Sequence, residues 1–283
     1  MAKRKREFEN TTYMKRIKEG RGQGEGKEYK PWIGIQDAAL RGKVTRIHGI
    51  KAGRQHDTLS NHELDYLYVC DFADNVLDIR EQFPLLPIET TEEISAEIGV
   101  EHPTDPYTGE HTVLTTDFLI TLKVDGKKKV IARTIKELGD LNDERQIEKF
   151  EIERRYWKKI DSNFDWGIVT ECNINDVLVK NIALVHPFYS LEGLQGFENI
   201  SELQLQRLTN ELVQRLIGNE VVVRDVADEF DNNMVLEPGT GIKIFKHLVI
   251  TKQIIINMLV PINLDVPQVI FSSKTAKKNK ECM

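Results

Sequence analysis

Long apolar runs and paired cysteines are both missing from this chain of 283 residues. No apolar stretch reaches the roughly 20 residues that a membrane-spanning helix needs, so we expect no membrane partner. The three cysteines, Cys70, Cys172 and Cys282, are scattered and have neither disulfide nor metal-ligand spacing. The first residues are basic and lack the apolar segment of a secretion signal. We therefore expect a protein of a reducing, cytoplasmic compartment.

Signals of several common enzyme classes are also missing. The seven histidines show no close pairing that would supply a general base or a zinc site, and we interpret His62 and His186 as surface or packing residues. Glycines alternate with other residues between Gly20 and Gly26, but no apolar strand precedes them and no Gly-Lys-Ser/Thr ending follows. The segment is therefore not a P-loop.

Charge is distributed unevenly along the chain. The whole chain has a net charge of −6, yet residues 1–54 contain 15 Lys/Arg and only 6 Asp/Glu. We interpret this as a basic N-terminal arm on an acidic body, which favours contact with a polyanion. The alternative is a solvated, partly disordered tail. Lysines recur in residues 274–283, which we expect to form a flexible basic tail.

The clearest local pattern predicts a β-hairpin. Thr115–Val124 has the composition of a strand, Asp125-Gly126 suits a type I′ turn, and Lys127–Lys136 forms the return strand. A two-residue loop pairs Val124 with Lys127, and counting back along both strands places Asp117 opposite Thr134. Lys136 then lies on the same face. A carboxylate and a lysine beside an apolar strand could hold a divalent metal and a phosphate.

A helix N-terminus offers a second carboxylate. Ser60 is a good N-cap and Glu63, three residues later, completes a capping box for a helix that extends to about Asp71. Glu63 could therefore be only a capping residue, or it could contribute to the same site from a helix packed on the sheet.

The remaining pattern predicts an alternation of strands and helices. We expect an acidic surface excursion over residues 90–111 and a helix from Asp143 to Lys159, with Ile147, Phe150 and Trp157 on its apolar face. The other expected elements are strands at 44–50, 76–83, 164–170 and 248–258, a helix after Ser201, and one or two short helices within 219–248.

Asp117, Lys136 and Glu63 suit a metal-dependent phosphodiesterase. Mg²⁺ prefers hard oxygen ligands such as carboxylates. A nearby cation assists the attacking water or the scissile phosphate. Taken singly, Asp117 could be a polar residue at a strand edge and Lys136 a solvated strand end. Their predicted juxtaposition is what favours a site.

Five ordered stretches resemble the TnsA family of transposon endonucleases, and the hairpin resembles the core of the PD-(D/E)xK nuclease superfamily. They cover most of residues 14–170, and the chain after about residue 172 matches less clearly. The stretches are Arg16–Gly24, Leu77–Pro87, Thr116–Leu119, Asp143–Arg145 and Glu153–Trp157.

The resemblance implies a fold and a domain organisation. Residues 1–171 would form an α/β restriction-endonuclease-like domain, a mixed sheet flanked by helices that carries the basic N-terminal arm. Residues 172–273 would form a mainly helical, winged-helix-like domain, followed by the basic tail at 274–283.

The resemblance also implies a set of site residues. Glu63, Asp117 and Lys136 would be catalytic. Mg²⁺, for which Mn²⁺ could substitute, would be held by Glu63, Asp117, the backbone carbonyl of Ile135 and, weakly or through water, Thr134. The basic arm would contact the DNA backbone, which is a salt-sensitive interaction. The residues expected to do so are Arg16, Lys18, Arg21 and Lys27.

The family's function would be cutting of the 5′ (non-transferred) strands at transposon ends, in the bacterial cytoplasm. Double-stranded DNA, a strand-transfer transposase subunit and an ATP-dependent AAA+ regulator would be the partners. Two alternatives stay open. The protein could be a catalytically weakened assembly subunit of the same complex, or a stand-alone structure-selective nuclease.

Thr134 is the departure that motivates the first alternative. The superfamily usually has Asp or Glu at this position, and threonine is too short to reach the metal as a carboxylate would. A shifted register with Glu137 as the acid would place that side chain on the face opposite Lys136. We therefore disfavour it.

Overall fold

The computed structural model describes residues 12–37, 44–106, 108–218 and 220–273. The chain separates into two compact units, with the division between Ile174 and Asn175. The first basic residues of the N-terminal arm and the expected basic tail at 274–283 lie outside the described ranges.

The N-terminal unit contains both helices and strands. Its helices are α1 (Thr12–Lys18), α2 (Asn61–Phe72), α3 (Ile88–Ile98) and α4 (Glu144–Ile160). Its strands are β1 (Thr45–His48), β2 (Gln55–Thr58), β3 (Val76–Pro84), β4 (Thr115–Val124), β5 (Lys127–Ile135) and β6 (Asp165–Val169).

Four of these strands form a mixed sheet in the order β3-β4-β5-β6. The β3–β4 and β4–β5 pairs are antiparallel, and β5–β6 is parallel, with α4 in the crossover. Asp125 and Gly126 have φ values of 49° and 77°, which a type I′ turn requires at both positions. The turn sets the predicted register, in which Phe118 pairs with Arg133. The mixed α/β architecture expected for this part of the chain is confirmed.

Apolar residues on the two faces of the sheet form two cores. Phe118, Ile120 and Ile131 are buried on one face with Leu67 of α2. On the other face, Leu119 and Ala132 pack against α4, as does Leu85 from the end of β3. Because side chains alternate along a strand, one hairpin supplies both cores. The two helices are thereby fixed at the end of the sheet where Asp117 lies.

The expected surface excursion at 90–111 is wrong in its first part, because residues 88–98 form α3. Ile88, Thr91, Ile94 and Ser95 recur at helical spacing and are buried. Glu92, Glu93 and Glu97, which suggested an excursion, lie outside the buried face of this amphipathic helix.

Helix α4 is confirmed, but one residue of its predicted apolar face is wrong. Asp143 is the N-cap, and its carboxylate accepts hydrogen bonds from two backbone N–H groups of the first turn. Ile147 is 47% exposed and does not belong to the buried face of the helix. The buried residues of the helix are Phe150, Ile152, Glu153, Tyr156 and Trp157.

The C-terminal unit is mainly helical. Its helices are α5 (Asp176–Val185), α6 (Glu202–Leu216), α7 (Val223–Met234) and α8 (Thr240–Ile250). Its short strands are β7 (Glu220–Val222), β8 (Ile254–Ile255), β9 (Pro267–Val269) and β10 (Phe271–Ser272). Ser201 is the N-cap of α6, and the side chains of Ser201 and Gln204 form a capping box. Within the described ranges, no helix has both the length and the apolar character that crossing a membrane requires.

The strand expected at 248–258 is mostly wrong. Leu248, Val249 and Ile250 are buried as the last turn of α8, and only Ile254–Ile255 is a strand. Ile244 and Phe245 precede them at helical spacing and are also buried. Burial of this helical face outweighs the β-propensity of the apolar run.

Candidate active site

Asp117 lies near the start of β4, and the residue is only 7% exposed. Its Oδ2 accepts hydrogen bonds from the Ile135 N–H at 2.7 Å and from Lys136 Nζ at 3.1 Å. Its Oδ1 accepts one from Gln82 Nε2 at 3.3 Å. The structure therefore brings Asp117 and Lys136 together as the hairpin register predicts.

Lys136 faces Asp117 as a cation. Burial alone would lower the pKa of its amine, but the charge and hydrogen bond of Asp117 outweigh burial and raise it. The side chain is 27% exposed, so the ammonium can also reach a ligand from solvent. A persistent positive charge suits it to offset negative charge on a phosphate.

Glu63 is a capping residue whose carboxyl also interacts with the charge of Asp117. Ser60 Oγ accepts a hydrogen bond from the Glu63 N–H at 3.1 Å, and Glu63 Oε2 accepts one from the Leu59 N–H at 2.9 Å. The side chain is buried at 5% exposure. Burial, and then repulsion from the Asp117 charge, raise the pKa of Glu63 to about 7. The cap fixes this carboxyl where it interacts with Asp117.

Glu153 is the site residue that the sequence reasoning missed. Its Oε1 accepts hydrogen bonds from Thr116 Oγ1 and Thr134 Oγ1, each at 2.6 Å. Burial raises the pKa of Glu153 to about 7, although the two threonine hydroxyls lower it, and the charge of Asp117 raises it further. The sequence does contain one indication of this role, since Glu153 lies between Ile152 and Tyr156 in the helix. An acidic residue on a buried helix face needs polar partners.

Ile135 and Thr134 lie at the end of β5 beside these carboxyls. Thr134 is 3% exposed and directs its hydroxyl to Glu153 rather than to Asp117. Ile135 donates its N–H to Asp117, while its side chain belongs to the core shared with α2.

The four basic residues expected to contact DNA divide into two pairs. Arg16 and Arg21 both form ion pairs with Asp37, at 3.5 and 2.5 Å. These two guanidinium groups therefore stabilise the N-terminal segment, residues 12–37, itself. Lys18 and Lys27 are exposed, and neither takes part in an ion pair between described residues.

The donor set fits a divalent cation, although no ready-made ligand group is present. Within the described ranges, no three His, Cys, Asp or Glu side chains come close enough to hold a metal ion. Glu63 and Glu153 nevertheless both have a raised pKa, to which the Asp117 charge contributes in each case. A cation between such carboxyls would relieve their repulsion, and their hard oxygens are the donors that Mg²⁺ prefers.

Comparison with known proteins finds family matches over residues 73–171 and 173–258. The family described as TnsA-like endonuclease N terminal matches residues 73–171, which include Asp117, Lys136 and Glu153. The family described as TnsA endonuclease C terminal matches residues 173–258. The Transposon Tn7 transposition protein TnsA of Escherichia coli is 43% identical over 186 residues. That match covers 66% of this chain and 66% of the relative. The chain belongs to the TnsA family of transposon endonucleases.

Proposed function

We propose that this protein is the metal-dependent DNA endonuclease subunit of a heteromeric cut-and-paste transposase. The observation that carries the proposal is the contact between Asp117 and Lys136, whose Oδ2 and Nζ atoms are 3.1 Å apart beside two further buried carboxyls. The match to a transposition protein supports the biological setting.

The residues that would hold a metal are Glu63, Asp117, Glu153 and the carbonyl of Ile135. A bound Mg²⁺, or Mn²⁺ in its place, would supply a Lewis acid for the scissile phosphate. Thr134 need not be a ligand in this arrangement. Its hydroxyl holds Glu153, so helix α4 supplies the carboxyl that the superfamily usually carries at position 134.

The protein's own groups orient the Asp117 carboxylate and offset negative charge on the phosphate. Three donors fix the Asp117 carboxylate, which keeps its oxygens in one orientation. Lys136 offsets the negative charge that develops on the phosphate during attack by water. The Leu59 N–H donates a hydrogen bond to Glu63 Oε2, which holds the Glu63 carboxyl in one position.

The substrate would be double-stranded DNA at the transposon ends, cut on the 5′ strands. A strand-transfer transposase subunit would cut and join the 3′ ends, and an ATP-dependent AAA+ regulator would control the assembly. Lys18 and Lys27 are the arm residues suited to the DNA backbone, because their ammonium groups are exposed.

A winged-helix architecture for the C-terminal unit is part of the proposal. The elements follow the order α6, β7, α7, α8 and then short strands. Strand β7 pairs with β9, and β8 pairs with β10, both antiparallel. Three helices with two small two-stranded sheets support the proposal, and the segment between Ile255 and Pro267 would be the wing.

The test is cleavage by the reconstituted transposase with Asp117→Ala or Lys136→Ala. Both variants should lose 5′-strand cutting, while the exposed controls Asp125→Asn and Lys123→Ala on the same hairpin should keep it. Unchanged cutting by Asp117→Ala and Lys136→Ala would refute the endonuclease assignment. Undiminished transposition with Asp117→Ala would favour an assembly subunit, and robust plasmid nicking without partners would favour a stand-alone nuclease.

A further inference from the structure

We propose that Gln82 is a positioning residue that fixes the orientation of the Asp117 carboxylate, and that the N-terminal segment holds Gln82 in place. This inference rests on the proposed function of Asp117. It concerns a residue of β3 that reaches the site only through Asp117.

Gln82 faces Asp117 across the β3–β4 pair. The flanking register pairs Glu81 with Phe118 and Phe83 with Thr116, which leaves Gln82 and Asp117 opposite each other. Gln82 is 4% exposed, and its Nε2 lies 3.3 Å from Asp117 Oδ1. Among the described residues no second hydrogen-bond donor contacts that oxygen, because the Ile135 N–H and Lys136 both contact Oδ2.

The orientation of the Gln82 amide is set by a second partner. Thr115 Oγ1 donates a hydrogen bond to Gln82 Oε1 at 2.9 Å. The amide oxygen is therefore turned towards Thr115 and the NH₂ group towards Asp117, which can only accept while it is ionised. The hydrogen bond from the Gln82 amide to the Asp117 carboxylate is directional, and an apolar side chain at position 82 could not form it.

The backbone of Gln82 is strained where it supports this contact. Its φ of 47° lies in the left-handed region, which is unfavourable for a residue other than glycine. Such conformations persist where the surrounding structure enforces them, and they concentrate at functional sites.

The N-terminal segment enforces the conformation at this point. The Trp32 N–H donates to the Gln82 carbonyl at 3.1 Å, and Tyr29 Oη donates to the Glu81 carbonyl at 3.0 Å. Gly22 packs so tightly that a Cβ built there would lie 2.3 Å from Pro84 Cγ. The N-terminal segment therefore contacts β3 at Gln82 and on both sides of it. Its role at the site is to support Gln82 as well as to supply basic charge.

Freeing Asp117 Oδ1 would let the carboxylate rotate about its remaining contacts. Metal and substrate sites tolerate only small departures in ligand orientation, of the order of 10–20°. Removal of a group that orients a ligand commonly costs about 10–100-fold in metal affinity or activity. We expect a loss in that range for variants without the amide.

Two substitutions in the full-length chain separate the amide from the backbone. Gln82→Met keeps the size of the side chain and removes the amide. Gln82→Gly relieves the left-handed strain and also removes the amide, so it should fold even if the methionine variant does not. Gln55→Met, at an exposed glutamine of β2, is the matched control.

The readouts are Mn²⁺ affinity by titration of the free protein, and kcat and KM for cleavage by the reconstituted complex. Both Gln82 variants should lose about 10–100-fold in Mn²⁺ affinity and in kcat. KM for DNA should not change, and Gln55→Met should match the wild type. Wild-type Mn²⁺ affinity and kcat in both Gln82 variants, with Asp117→Asn inactive, would overturn the proposal. Full cleavage by Asp117→Asn would instead remove the proposed function itself, and this inference with it.

Discussion

Thr134 and Glu153 are joined by a buried hydrogen bond of 2.6 Å, from the threonine hydroxyl on β5 to the carboxyl on α4. The position that lacks an acid in the sequence is thus in contact with an acid in the structure. A second hydroxyl, from Thr116, binds the same oxygen of Glu153, and Trp157 Nε1 donates to that hydroxyl at 2.8 Å. Glu153 is therefore held in a fixed orientation next to Asp117.

Replacement of Glu153 by glutamine should impair cutting. Glu153→Gln keeps the size of the side chain but removes the negative charge that a metal ion requires. We expect cleavage by the reconstituted complex to fall by about 10–100-fold, with folding intact. Glu148→Gln, on the same helix away from the two threonines, should cut like the wild type. Equal activity of the two variants would exclude Glu153 from the site.

Removal of the Thr134 hydroxyl should destabilise the protein. Thr134→Val preserves the shape of the side chain but leaves the buried Glu153 with one donor fewer, which should lower the free energy of unfolding by about 1–3 kcal/mol. Thr134→Ser retains a hydroxyl and should recover most of that loss. Urea denaturation of both variants without divalent metal measures the difference. A valine variant as stable as the serine variant would contradict this role.

The stability of the metal-free protein should fall as the pH rises from about 4.5 to about 7. The folded-state pKa values of Glu63 and Glu153, raised to about 7 by burial and by Asp117, exceed their usual value of 4.5. In this window the folded state retains protons that the unfolded chain releases, so the free energy of unfolding decreases with pH.

Urea denaturation at pH 5 and pH 8 in EDTA measures this change in stability. Glu153→Gln should flatten the dependence because it removes one of the two titrating groups. Mg²⁺ should restore stability at pH 8, where both carboxyls are ionised. A stability that rises between pH 5 and pH 8 in EDTA would contradict the prediction.

The ion pair of Arg54 and Glu81 should protect the fold against acid. Burial alone would raise the pKa of Glu81, but hydrogen bonds from Arg54 and His56 outweigh it and lower the pKa to about 2. Its contribution is complete above the unfolded value of 4.5 and is lost as the pH falls towards 2. Arg54→Met removes the guanidinium partner of this buried carboxylate and should cost about 3–5 kcal/mol at pH 7.

Arg46→Met is the matched control, because Arg46 is 56% exposed and its ion pair with Asp57 is longer, at 3.5 Å. Thermal unfolding at pH 7 and pH 3 should show a large loss for Arg54→Met and little change for Arg46→Met. Similar losses in the two variants would mean that burial of the Glu81 pair does not matter.

Two glycines of the N-terminal segment test its support of β3. Gly20 and Gly22 have similar φ values, 73° and 75°, so alanine strains the backbone equally at both. A Cβ at Gly22 would also collide with Pro84, whereas nothing lies within 4 Å of one at Gly20. Gly22→Ala should therefore reduce cleavage more than Gly20→Ala does, in parallel with Gln82→Met. Equal cleavage rates in the two alanine variants would show that the N-terminal segment does not influence cleavage through β3.

Much of the hairpin that carries the candidate active site could be predicted because its signals are local. Asp125 and Gly126 specify the turn, and the turn sets a register in which Asp117 lies opposite Thr134. The failures lie where tertiary burial decides between alternatives. Residues 88–98 look acidic and irregular until α3 buries one face of them, and the apolar run at Leu248 looks like a strand until α8 packs it as a helix.

The sequence by itself determined the hairpin, the Ser60 cap of the helix that carries Glu63, and the family to which the chain belongs. Each of these depends on residues close together in the chain or on ordered stretches that can be compared directly. Only the tertiary structure decided which carboxyl stands beside Thr134 and what holds Asp117 Oδ1. Glu153 and Gln82 reach the site from a helix and from a neighbouring strand, at 19 and 35 residues' separation from their partners. Contacts over such distances depend on how the sheet and its helices pack, and no local pattern encodes them.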